Sequence, residues 1–202
     1  MDATEREKMV AGLLYDPSDP ELAALLVKAR KLARRYNQID EDDAERRLAV
    51  LRELLPNTEH LPGLQAPVYF DYGCNTSFGL NSGANFNFTC LDVCPVCIGD
   101  NVFIGPNVTL ATPTHPLLPE ERNAHQRPDG SWHNVEYARP ITIGDDCWLA
   151  SNVVVCGGVT IGEGSVIGAG SVVTKDIPPH SLAVGNPCRV VREITEADRM
   201  KQ

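Results

Sequence analysis

No stretch of this sequence approaches the roughly 18 consecutive apolar residues that a membrane-spanning helix needs. The start, Met1 to Glu7, is polar and has no apolar run behind it, so it does not read as a secretion signal. Both absences lead to the expectation of a cytoplasmic chain that does not engage a membrane. Positive charge is scarce: 18 Lys and Arg stand against 27 Asp and Glu, a net charge of −9. That balance speaks against general nucleic-acid binding, while a local cationic patch for a small anionic ligand stays compatible with it. A paired cysteine framework is also missing. The 7 cysteines are scattered and odd in number, which in a reducing compartment reads as free thiols. Cys94-Pro-Val-Cys97 has the spacing of half a zinc site but no second ligand pair, so no metal is expected.

What the sequence does contain is a period of six. From Ile143 onward an aliphatic residue opens every block: Ile143, Leu149, Val155, Ile161, Ile167, Val173. A small residue follows in most of them, as Gly144, Ala150, Cys156, Gly162 and Gly168. The same frame runs through Ile98, Ile104 and Leu110, and more weakly through Phe78, Ala84 and Cys90. Six is neither the strand period of 2.0 nor the helix period of 3.6. It is the signature of a hexapeptide-repeat left-handed parallel β-helix, in which each block is one short strand and a turn and three blocks close a triangular coil. The opening aliphatic points into the prism, and the small residue suits the corner. Each coil buries little alone and relies on its neighbours.

Three segments depart from this frame. Residues 1–58 read as an N-terminal helical cap. Thr4-Glu-Arg-Glu is a capping box for a helix to about Leu14. Asp19-Pro20 starts a second helix with an apolar stripe at Leu22, Leu25, Leu26, Ala29, Leu32, Ala33 and Tyr36. A third is expected from Asp42 to Leu55, burying Leu48, Leu51, Leu54 and Leu55. His60 to Pro67 reads as a Pro-rich linker. Residues 59–194 form the β-helix domain, interrupted by an excursion over 112–140, because the distance from Leu110 to Ile143 is not a multiple of six. Long loops in compact domains are usually functional, and this one opens at His115. Residues 195–202 read as a short C-terminal helix, with Thr195-Glu-Ala-Asp as its cap.

Several stretches resemble the maltose and galactoside O-acetyltransferase family. They are Ala-Gly-Leu-Leu-Tyr-Asp (11–16), Val-Tyr-Phe-Asp-Tyr-Gly (68–73), Ala-Asn-Phe-Asn (84–87), Thr-His-Pro (114–116), Pro-Ile-Thr-Ile-Gly (140–144) and Gly-Asn-Pro-Cys-Arg-Val (185–190). The match spans nearly the whole chain and leans to the maltose branch. The resemblance implies acetyl-CoA as donor, a sugar hydroxyl as acceptor and a homotrimer with active sites between subunits. It implies His115 as general base, and Asp16, Asp71, Asn85 and Asp92 as acceptor contacts. Ser151, Ala169, Thr174, Lys175, Arg189 and Arg192 fall where the family meets CoA. The excursion looks longer than in bacterial members, and Val93 follows Asp92 where a second acid can occur.

The chemistry asked of these residues is simple. A thioester is already activated, so transfer needs a base for the hydroxyl proton, stabilisation of the oxyanion, and two substrates held in line. Imidazole suits the first task near neutral pH. Asn85 and Asp92 can hold the sugar, or can equally be corner residues of the coil. Small residues at Ser151 and Ala169 allow close approach of a pantetheine arm, and Lys175, Arg189 and Arg192 can neutralise phosphates. Two other acceptor readings stay open, an antibiotic or serine, because fold does not settle substrate. A metal-dependent hydratase on the same scaffold would need about three converging histidines. Only His115 lies beside a coil; His60, His125, His133 and His180 sit in linkers or loops.

Overall fold

The structure is a computed structural model and describes residues 3–201. The hexapeptide blocks wind into a left-handed parallel β-helix of three flat faces. The first face stacks Gly63–Leu64, Gly83–Ala84, Phe103–Ile104, Trp148–Leu149, Val166–Ile167 and Ser181–Val184. The second stacks Val68–Phe70, Phe88–Leu91, Thr109–Ala111, Val154–Cys156 and Val172–Val173. The third stacks Thr76–Phe78, Val96–Ile98, Ile141–Ile143 and Thr160–Ile161. The chain visits the faces in that rotation, and strands in register, such as Cys90 with Leu110 and Val155 with Val173, build each column.

The expected inward positions are the core. Ile143, Leu149, Val155, Ile161, Ile167 and Val173 are all buried, as are Phe78, Ala84, Cys90, Ile98, Ile104 and Leu110. The corners explain the small residues. A Cβ on Gly105 would lie 2.9 Å from the backbone of Ala150 and of Ser151 in the next coil. Other corners turn through left-handed backbone at Asn81, Asn101 and Asp146 and at Asn87, Asn107 and Asn152, a conformation that Asn and Asp tolerate best. Stacking these corners lets their side chains bond along the prism: Asn81 to Asn101 at 3.3 Å, Asn101 to Asp146 at 3.1 Å, and Asn87 to Asn107 at 2.9 Å.

Three helices cover one end: α1 (Glu5–Val10), α2 (Pro20–Asn37) and α3 (Ala44–Leu54). The capping box at Thr4 and the Asp19 cap with Pro20 behind it form as the sequence predicts. The first helix stops earlier than expected. Gly12 takes a left-handed turn, and Tyr15 then pairs as a strand with Glu136. Leu51, Leu54 and Leu55 are buried, but Leu48 is 40% exposed at the rim of an open groove, contrary to the expected buried stripe. The segment read as a linker is also corrected, since Gly63–Leu64 is the first strand of the prism. Prolines are tolerated there because a terminal strand needs a ladder on one side only. Leu64 is buried, and its carbonyl accepts bonds from the Tyr36 hydroxyl (2.6 Å) and the Arg47 guanidinium (2.8 Å), fastening the cap to the prism.

The excursion leaves after Thr109–Ala111 and carries its own structure. Pro113–Thr114 pairs antiparallel with Tyr137–Ala138, and the amide of Arg139 donates to the carbonyl of Thr112 at 3.0 Å, so the loop has a closed neck. Beyond the neck lie a helical turn, Pro119–Arg122, and a hairpin of His125–Gln126 with Trp132–His133. Past the last coil, Arg189–Glu193 folds back antiparallel on Ser181–Val184. The expected C-terminal helix is only a single 3-10 turn, Glu196–Asp198, with Thr195 capping it.

Candidate active site

His115 stands just outside the neck of the excursion. Its side chain is 49% exposed, so its free edge reaches solvent. The antiparallel register that sets Thr114 opposite Tyr137 sets His115 opposite Glu136. The Nδ1 atom of His115 is 3.9 Å from Oε1 of Glu136. The other oxygen of that carboxylate accepts the Tyr15 hydroxyl at 2.8 Å. Tyr15 and Glu136 also exchange both backbone hydrogen bonds, at 3.0 and 3.1 Å. Burial, then the bond to Glu136, pushes the Tyr15 phenol far above its ordinary range, so it stays protonated and donates to Glu136. Glu136 and Tyr15 were not singled out in the sequence. The signal was hidden because it depends on strand register, which a period-six reading does not provide outside the coils.

Two expected acceptor contacts lie around this row. Asp16 follows Tyr15, and its carboxylate is held by Ser18 (2.6 Å to the hydroxyl) and by the guanidinium of Arg127 from the excursion hairpin. Burial opposes its charge, but those bonds outweigh burial and keep the carboxyl below its usual range. Asp71 sits at the corner after the second-face strand Val68–Phe70, in a 2.9 Å bond with Arg30 of α2. Charge on Asp71 and on Glu136 acts on both Tyr15 and Tyr72, which places these groups in one neighbourhood.

Asp92 does not join them. Its side chain is fully buried beneath the same corner and accepts from the amide of Tyr72 (2.8 Å), the amide of Asn75 (3.2 Å) and the Thr76 hydroxyl (3.0 Å). The expected acceptor contact is therefore corrected to a structural carboxylate, whose lone pairs are spent on backbone turning the corner. Burial raises its pKa to about 6, against the pull of those donors. Cys94 and Cys97 also part company: Cys94 is buried against the cap, whereas Cys97 is exposed on the outer third face.

The remaining expected residues divide between two edges of the prism. Asn85, Ser151 and Ala169 lie along the edge between the first and second faces. That edge is stitched coil to coil by the amides of Asn107, Asn152 and Gly170 donating to Phe86, Pro106 and Ser151 at 2.8–2.9 Å. Asn85 lines an open groove of about 1140 Å³, together with Phe103, Gly105 and Trp148. Trp148 faces outward there, 52% exposed. His115, Asp71, Thr174 and Lys175 lie along the other edge, between the second and third faces, each following a second-face strand. Thr174 and Lys175 are exposed. The whole second face separates the two sets. Arg189 is exposed on the returning strand with its guanidinium on the Cys188 carbonyl (2.7 Å). Arg192 is not free in this structure; Asp198 grips it through two bonds of 2.8 and 2.6 Å. His125 and His133 face one another across the hairpin and bond the carbonyls of Glu120 and His125, apart from this arrangement.

Comparison with known proteins agrees with both the coils and the cap. Residues 8–59 match the maltose acetyltransferase hexapeptide capping motif, and residues 140–175 match the bacterial transferase hexapeptide of six repeats. Residues 95–114 match the hexapeptide repeat of succinyl-transferase. The galactoside O-acetyltransferase of Escherichia coli K12 is 41% identical over 199 residues, covering 98% of this chain and 94% of the relative. The crystal structure of a maltose O-acetyltransferase from Clostridium difficile 630 superposes with a TM-score of 0.85 at 41% identity, covering 96% of this chain and 99% of the other. A hexapeptide-repeat acetyltransferase from Vibrio cholerae, solved with acetyl coenzyme A, superposes with a TM-score of 0.82 at 34% identity over 96% of this chain and all of the other. Among the described residues no helix is long and apolar enough to cross a membrane. The cap, the coils and the excursion thus all have counterparts in one group of enzymes, and this chain belongs to the maltose and galactoside O-acetyltransferase family of hexapeptide-repeat acetyltransferases.

Proposed function

We propose that this acetyltransferase moves the acetyl group of acetyl-CoA to a hydroxyl of a sugar, with His115 as the general base. The observation that carries the reading is a half-exposed imidazole 3.9 Å from the Glu136 carboxylate, whose Tyr15 partner precedes Asp16 in the chain and feels the charge of Asp71. Aspartate side chains suit the hydroxyls of a sugar, because each offers paired acceptors in a plane. The free Nε2 of His115 takes the hydroxyl proton as that oxygen attacks the thioester carbonyl. When the C–S bond breaks, the imidazolium returns the proton to the sulfur. The products are an acetyl ester and the thiol of CoA.

The two prism edges support a site completed by a second copy. Asn85, Ser151 and Ala169 cannot meet His115 across the breadth of one face. A neighbouring subunit that turns its first-second edge toward this chain's second-third edge brings them together. Three such contacts close a cyclic trimer. CoA, long and narrow, then lies between the edges, with the pantetheine arm by Ser151 and Ala169 and the phosphates by Thr174, Lys175 and Arg189. Arg192 joins them only if a phosphate displaces Asp198. The test is His115→Ala. It is expected to keep the trimer and donor binding by calorimetry while losing about 10²–10⁴-fold in turnover. A variant that binds donor and acetylates sugar at the wild-type rate overturns the base assignment. A panel of sugars, serine and antibiotics, read by CoA release, identifies the acceptor class.

A further inference from the structure

The geometry points to Glu136 as the positioning residue of His115, with Tyr15 of the N-terminal cap in turn positioning Glu136. The inference rests on His115 acting as base. Three segments from distant parts of the chain lie side by side here: residue 15 from the cap, and 136 and 115 from the two arms of the neck. Residues directly opposite one another on neighbouring antiparallel strands project to the same side. The three side chains therefore line up in one row, Tyr15, Glu136, His115.

Each contact in the row has a defined chemical role. The Tyr15 side chain is 2% exposed, so its hydroxyl has no bulk water to turn to and its proton is committed to Glu136 at 2.8 Å. One carboxylate oxygen is thereby fixed. The other, Oε1, faces Nδ1 of His115 at 3.9 Å. A hydrogen bond needs an approach about 1 Å closer. Catalytic hydrogen bonds are often long before substrate binds and tighten afterwards. Once made, the bond holds the proton on Nδ1 and leaves the lone pair on Nε2 of a side chain that is half exposed. Only that tautomer can accept a proton from the acceptor hydroxyl. In the transition state the ring becomes cationic, and the ionised Glu136 behind it offsets the new charge without taking the proton itself. The cap is thus connected to the reacting ring through one phenol and one carboxylate.

A purely structural reading is available, in which Glu136 only latches the cap to the loop. The variants separate the two. Glu136→Gln keeps an oxygen for the Tyr15 hydroxyl, so the latch survives while the charge is lost. It is expected to lower kcat by about 10–100-fold, the usual worth of such outer partners, with KM for acetyl-CoA and for sugar changed less than about twofold. Glu136→Asp should recover part of kcat. Tyr15→Phe keeps the buried ring and should cost a smaller factor in kcat. Nitrogen-15 NMR of the neutral His115 ring should show the Nδ1–H form in the wild type and a larger Nε2–H share in Glu136→Gln. A wild-type kcat in a folded Glu136→Gln overturns the inference. So does a KM rise with kcat unchanged, which would make Glu136 an acceptor contact instead. If His115→Ala itself stays active, the base assignment fails. If His115→Ala is dead while Glu136→Gln keeps full turnover, only the present inference fails.

Discussion

Asp92 shows how one side chain can pass for a ligand contact in sequence and be structural in space. It follows Leu91, where the second face turns the corner toward the third, and corners carry both kinds of acid. Its carboxylate instead satisfies two backbone amides and a hydroxyl in the interior. Asp92→Ala strands those donors and is expected to destabilise the fold by about 3 kcal/mol, visible in urea melts. The sugar KM of the folded protein should stay put. The pH dependence has a defined sign. The folded pKa of about 6 lies above the ordinary value, so the folded state binds the proton more readily than the unfolded chain. This group's contribution is fully present below about pH 4 and is lost as pH rises through about 6. The stability gap between wild type and Asp92→Ala should widen by about 1 kcal/mol from pH 8 to pH 5. Asp16 has the opposite sign, because its folded pKa is lowered; its contribution is present at neutral pH and fades as acid protonates it. His115 was legible as a residue because the frame breaks beside it, while Glu136 was not, since only the pairing of the neck brings it opposite.

Among elements, those whose periodicity maps onto geometry were read well. The inward aliphatics of the coils, the helix α2 and the capped start of α1 lie where their patterns put them. The boundaries that tertiary contact decides were not readable. Leu64 is a strand residue because a coil lies above it, and the chain after α1 runs to an extended bridge between Tyr15 and Glu136 instead of continuing the helix to Leu14. The excursion was legible as an interruption but not as a hairpin on a paired neck. Its hairpin reaches back to the cap through the ion pair between Arg127 and Asp16. Exchanging residues 118–133 for a short Gly-Ser turn should leave the melting temperature within a few degrees, because the hairpin buries no part of the prism core. The sugar KM should rise severalfold through the freed Asp16, with the acetyl-CoA KM unchanged. Steady-state kinetics with each substrate varied in turn would check this.

At the scale of the whole molecule, the division of expected contacts between two prism edges makes a prediction that no single chain can satisfy. His115→Ala and Asn85→Ala should each be nearly inactive alone. Under the proposed trimer, unfolding them together and refolding the mixture should regain about a quarter of wild-type activity, since random assembly pairs one intact His115 edge with one intact Asn85 edge at that frequency. Recovery near zero would mean that both residues serve one chain's site. The neck of the excursion has a different consequence. Because residues 112 and 139 are hydrogen bonded and the coil resumes in register with Val96 at Ile141, the prism is indifferent to how much chain lies beyond. Lengthening a closed loop costs only slowly growing entropy. Descendants of one ancestor can therefore rewrite, shorten or extend that insert while inheriting the scaffold unchanged, so the choice of what is acetylated and the ability to fold need not evolve together.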